Sequence, residues 1–304
     1  MGFRIGEEEA EKLLQLFRDH MHPLNPFVEL EPATTAAQLR VQRPMLFLAV
    51  MFAASYHDFD AQKAMSRSIM TYISEQMFQQ GRRSLQLLQG VIVFLHWYSS
   101  QLFVNPQVTN LLHITMALTT DLGLDKAEGP RLTSRSPMAR FPPNTFQGPQ
   151  AAPEEHTVHE RRALAAAFYI TSSISSNTNM LTALQYSAQV GDVCRLFEAE
   201  NRDDPLSQDY RLAKLVRLQY IIARIYNAQK EADLAEGRRF PYSLFIRQFE
   251  EDLQKFWALL PAELRSDSNF SPSPLPLPRV LTPPRQSPSS CSTTRRRFTS
   301  TRCR

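Results

Sequence analysis

Few residues in this sequence have the type and spacing to do chemistry. His156 and His159 stand three apart beside Glu160. Two imidazoles one helical turn apart can share a metal ion. The His-Glu-x-x-His order is absent, however, and no third ligand follows, so this stretch reads as the exposed polar first turn of a helix. Asp203-Asp204 resembles a metal-binding acid pair, yet Pro205, Leu206 and Ser207 follow where further acids are needed. Helix-capping acids are the simpler reading. His57, Asp58 and Asp60 read as a solvated inter-helix turn. His96 falls inside an apolar stretch and reads as a hydrogen-bonded core residue. Cys194 lies among Val190, Val193, Leu196 and Phe197 and reads as an inert buried thiol. Nucleophile-elbow and phosphate-loop patterns are missing. No residue is therefore assigned as catalytic, cofactor-binding, metal-ligating or DNA-binding, and no enzyme is expected.

The elements that would position these residues are helices. Leu13, Leu14, Phe17 and Met21 keep helical spacing over 7–20, with acids in the first turn. Further helices are expected over about 44–57, 60–80, 84–103, 105–122, 157–179, 187–200, 204–236 and 242–260. Pro44 suits a first turn, Gly81 and Gly123 suit helix ends, and Asn105-Pro106 reads as an N-cap with proline after it. Thr157-Val158-His159-Glu160 is a capping box. Residues 84–103 are apolar nearly all round, which predicts a central buried helix. Leu215, Leu218, Ile222 and Ile225 keep coiled-coil spacing for only two heptads, so core packing is expected rather than a dimer seam. Alternation suited to a strand is absent. The fold class is all-α, an irregular domain of about eight to nine helices over 1–265.

Two segments depart from this pattern. Residues 126–153 carry six prolines and little periodicity, as expected of a flexible loop. Residues 266–304 hold seven Pro, nine Ser and seven Arg and are expected to be a disordered tail. Arg295-Arg296-Arg297 there are weak evidence for nuclear import. The net charge of +4 belongs to this tail: the first 265 residues hold 27 basic and 29 acidic residues. A basic nucleic-acid surface is thus excluded from the body. Apolar residues make up 43 % and glycine is scarce at 9, which disfavours glycine-rich phosphate loops. Of three cysteines, only Cys194 precedes residue 291, so no disulfide framework is expected. The N-terminus has no signal core, and the longest apolar run, 45–54, is far short of the ~20 residues that span a bilayer. A soluble intracellular protein is expected.

Three stretches resemble the fungal-specific transcription factor domain, the middle homology region of fungal binuclear zinc-cluster regulators. The first is Leu16-Phe17-Arg18-Asp19-His20-Met21-His22-Pro23-Leu24-Asn25-Pro26. The second runs from Gly81-Arg82-Arg83-Ser84-Leu85 through His96-Trp97-Tyr98 and Asn105-Pro106 to Asp121-Leu122-Gly123-Leu124. The third is Glu160-Arg161-Arg162-Ala163-Leu164 with Phe168-Tyr169 and Ser172-Ser173-Ile174-Ser175. Together they cover about 7–260.

The resemblance implies an α-helical domain, a nuclear location and a role in regulating transcription, with no catalytic residues to carry over. It also implies partners: other transcription regulators or domains of a parent protein, and a small-molecule effector, for which a pocket near the 84–103 helix is expected. The family's DNA-binding module uses six cysteines on two zinc ions. This chain cannot supply them, so no cofactor and no direct DNA contact are expected of it. Family members continue as helix beyond a stretch like Leu259-Leu260-Pro261-Ala262-Glu263-Leu264, where this sequence turns to Pro, Ser and Arg. A truncated product, or an intron read through, is the expectation; a spliced message identical over codons 260–304 would refute it. The alternative function is a helical protein-interaction scaffold without a transcriptional role, weakened by the lack of any repeat of about 34 to 40-odd residues.

Overall fold

The computed structural model describes residues 5–24, 26–98, 107–126, 155–178, 183–234, 242–265 and 270, all within the unit Met1–Ser271. The expected loop beyond Lys126, and the expected tail apart from Phe270, lie outside the described residues. Every regular element among the described residues is helical.

Helix α1 (Glu7–Leu16) starts on three glutamates, which favour the positive end of the helix dipole. It continues as a π-helical turn, Phe17–Met21, before the prolines stop it. Helix α2 (Ala36–Gln42) is set by a full capping box: Thr35 accepts from the Gln38 amide, and the Gln38 side chain accepts from the Thr35 amide. Helix α3 (Pro44–Ala54) has proline in its first turn and is apolar on every side. Asp58 caps α4 (Phe59–Ser74) by accepting from Ala61 N at 2.9 Å. A second π-helical turn, Glu75–Gln79, leads to Gly81 at φ 62°, where glycine avoids the steric cost of left-handed backbone.

Ser84 caps α5 (Leu85–His96), in which all residues from Leu87 to Leu95 are buried. The expected central helix is present, but it ends at His96 rather than near Phe103. Helix α6 (Val108–Asp121) begins after Gln107. The expected Asn105-Pro106 start lies outside the described residues. Gly123, at φ 70°, closes α6 in a Schellman arrangement, with Leu124 N donating to Thr119 O and Gly123 N to Thr120 O. The expected capping box opens α7 (Val158–Thr178): Glu160 N donates to Thr157 Oγ1, and Thr157 N donates to Glu160 Oε2. Ser187 caps α8 (Ala188–Glu200).

Helix α9 (Gln208–Leu234) starts later than the expected Asp204-Pro205, because Ser207 Oγ accepts from Tyr210 N. Asp204 instead accepts from Leu206 N inside the preceding turn. Helices α10 (Tyr242–Leu259) and α11 (Ala262–Arg265) follow. The two helices beyond the nine expected, α2 and α11, are only seven and four residues long.

The packing centres on α3 against α5 and α7 against α9, with α5 also touching α6 and α7. Gly90 is the point of closest approach. A Cβ there would sit 2.9 Å from the Met45 carbonyl carbon, so only glycine lets α5 lie this near α3. A smaller core joins Leu215 and Ile221 of α9 to Phe256 of α10, Leu260 just after it, Leu264 of α11 and Phe270. Leu218 and Ile225 pack on it. Three of the four heptad positions, Leu215, Leu218 and Ile225, therefore serve the core, as the short seam predicts.

Candidate functional site

The residues singled out for chemistry do not converge. Among the described residues, no three His, Cys, Asp or Glu side chains come together in a way that could hold a metal ion. His57, Asp58 and Asp60 are exposed around the start of α4, where Asp58 serves as a cap. Asp203 and Asp204 are exposed on the turn before α9. Cys194 is fully buried on α8, and burial pushes its thiol pKa up to about 12, far from the thiolate a metal or an electrophile needs.

His156 corrects the expectation of an exposed first turn. His159 is exposed, but His156 is 6 % exposed and its Nε2 lies 3.2 Å from the Lys126 carbonyl oxygen. It ties the chain just before the α7 cap to the segment after α6. The partner is 30 residues away, so local pattern could not reveal it.

Sequence reasoning also missed Arg162. This arginine, on α7, is 8 % exposed and donates through Nε and Nη2 to the Asp209 carboxylate at 2.5 and 3.0 Å. Its Nη1 donates to Glu29 Oε2 at 2.7 Å. Burial works against the guanidinium charge, but the bonds to Asp209 and Glu29 outweigh it and its pKa is raised. The Arg162 bond in turn holds the Glu29 carboxyl below its ordinary range. One side chain thus clamps α7 to α9 and to the loop between the first π turn and α2. The partners lie 47 and 133 residues away. A second cluster joins α8 to α9: Glu198 accepts from Lys214 Nζ at 2.9 Å and from Arg217 at 2.6 and 2.7 Å. Burial opposes the Glu198 charge, yet these cations lower its pKa.

A cavity of about 260 Å³ lies at the end of α5. Leu95, His96 and Tyr98 line it with Val108 of α6 and with Ile170, Ser173, Ile174, Asn177 and Thr178 of α7. Among the described residues, no Lys, Arg, Asp or Glu lines it. His96 is held edge-on by Phe27 and by Trp97, each with ring centroids at 5.1 Å. Burial lowers the His96 pKa from 6.5 to about 4, so the imidazole is neutral at physiological pH. The expectation of a hydrogen-bonded core histidine needs correcting: neither His96 ring nitrogen has a hydrogen bond among the described residues, and the ring keeps some accessible surface. That surface belongs to the cavity it lines.

Fold and site together describe a packed helical body with a cavity at the end of α5 and no reactive constellation among the described residues. Over residues 2–266 the chain matches the family described as the WAR1 C-terminal domain, and it belongs to that family. It is similar to transcription factor himD of Aspergillus japonicus, 30 % identical over 253 residues, covering 79 % of this chain and 40 % of the relative. Transcription factor opdL of Penicillium oxalicum is 27 % identical over 218 residues, 71 % of this chain and 38 % of the relative. Transcription factor pbcR of Emericella nidulans is 26 % identical over 261 residues, 83 % and 34 % respectively. The chain spans two fifths or less of the length of these relatives. No solved structure matches it.

Proposed function

We propose that this chain is the regulatory, middle homology region of a fungal zinc-cluster transcription factor, acting in the nucleus to control transcription rather than to catalyse a reaction. The observation that carries the reading is the family match over 2–266. It spans the whole helical body and is joined by three relatives that are transcription factors by name. The helical body over 1–265 is the working unit in this reading. No described helix is long and apolar enough to cross a membrane, which accords with it.

The zinc cluster of such factors needs six cysteines, and the three in this chain do not fit it: Cys194 is buried with its thiol protonated, and only Cys291 and Cys303 remain. The role assigned to this chain is therefore regulatory and exerted through other regulators, through domains of a parent protein, or through an effector. Tethering residues 1–304 to an unrelated DNA-binding module upstream of a reporter tests the reading. Reporter output that differs from the module alone is expected. Identical output in a fungal host, with the fusion present in the nucleus, would contradict it.

A further inference from the structure

The cavity at the end of α5 has a lining that restricts what can enter it. Its walls are aliphatic at Leu95, Val108, Ile170 and Ile174, and Asn177 is exposed at its edge. Tyr98, the half-buried Ser173 and the exposed Thr178 also line it, and the His96 imidazole among them is half-buried, neutral and without a hydrogen-bond partner among the described residues. A ligand that covers this ring without pairing with it leaves a desolvated polar group unsatisfied, and a ligand atom that hydrogen-bonds to it avoids that loss. A pure hydrocarbon would leave the imidazole unpaired. An anion or cation would meet no opposite charge in the described lining and would give up its hydration. Size adds a further limit. An apolar cavity of ~150 Å³ accepts benzene, so about 260 Å³ accommodates a substituted ring.

We propose that this cavity is a binding site for a compact, uncharged organic molecule: a ring-sized apolar body bearing one hydrogen-bonding oxygen that pairs with the His96 imidazole. The proposal gives the effector of the regulatory reading a chemical class and rests on that reading for its physiological meaning. The cavity joins α5, α6 and α7. An occupant would therefore tie the central buried helix to the helix that carries the Arg162 clamp, which is where a ligand could change the body's rigidity.

The test is a ligand-observed NMR titration of the 304-residue chain with three probes of similar shape: 4-methylphenol, toluene and 4-methylbenzoate. Saturable binding of 4-methylphenol is expected, at least tenfold tighter than that of 4-methylbenzoate. Two variants fill the cavity, Ile174→Phe and the milder Ser173→Leu at a half-buried position. Each is expected to weaken 4-methylphenol binding at least tenfold. His96→Phe should weaken 4-methylphenol about tenfold and leave toluene unchanged. Equal affinity for the benzoate, or 4-methylphenol affinity unchanged in both filling variants, would overturn the proposal. The titration reads the cavity alone, so its failure is distinct from a failure of the reporter test of transcriptional function.

Discussion

Single residues in this protein act mainly through burial, and the clearest case is pH. His96 and His22 are both held below the ordinary histidine pKa, His96 to about 4, with burial the largest cause for each. In the unfolded chain both bind a proton as pH falls through about 6.5. The folded state takes up these protons only at lower pH, for His96 near 4, so stability is level above pH 6.5 and declines as pH falls below it. For His96 the full decline is on the order of 3 kcal/mol. Urea midpoints from pH 7.5 to 4.5 should fall accordingly, and His96→Phe should remove most of the slope. An unchanged slope in that variant would mean that other groups cause it.

Gly90 and Cys194 give two more expectations at this scale. Gly90→Ala puts a methyl group against the Met45 backbone, which cannot swing away as a side-chain tip can. A loss of about 1–3 kcal/mol in denaturant unfolding is expected, with α3 forced away from α5. Cys194 is fully buried with a protonated thiol. Peptide mapping after maleimide treatment at pH 7 should find it unlabelled in the native chain and labelled after unfolding.

Among the elements, the Arg162 clamp joins pieces that are far apart in sequence. Arg162→Met removes the partner of Asp209, whose side chain is 13 % exposed, and so leaves a carboxylate buried without compensation. A cost of about 3–5 kcal/mol is expected by calorimetry. Glu29→Gln should cost far less, because the Glu29 side chain is 49 % exposed and solvent already screens it. If the two variants were equally mild, the clamp would be an incidental contact.

Elements with a local cause were legible in the sequence. The Thr157–Glu160 box and the glycines at 81 and 123 mark helix ends by chemistry that sits next to the end it marks. Helix α2 was also marked, by Thr35 and Gln38, but its seven residues carry too little periodicity to draw attention. The end of α5 was misplaced because apolar residues continue past His96, and periodicity registers apolarity rather than chain direction. The start of α9 was misplaced because Asp-Pro and Ser are both credible openings, and only the hydrogen bond to Ser207 decides between them. Of the candidate site, the position near α5 was legible. The burial of His156 and the Arg162 clamp were not, since each depends on partners 30 or more residues away.

At the scale of the whole molecule, the fold is one large helical core with a smaller one joining α9, α10 and α11. The same arrangement should be recognisable in relatives at 26–30 % identity, because what it requires is apolar periodicity, a glycine at the α3–α5 crossing and caps at helix ends. The most direct measurement of the central claim, that this folded body regulates transcription, is reporter output from the tethered chain compared with the tethered Gly90→Val variant at matched protein level. The account predicts that the wild-type chain changes output relative to the DNA-binding module alone, and that the variant, with α3 and α5 forced apart, loses that effect. Equal output from the wild-type fusion, the variant fusion and the module alone would contradict it.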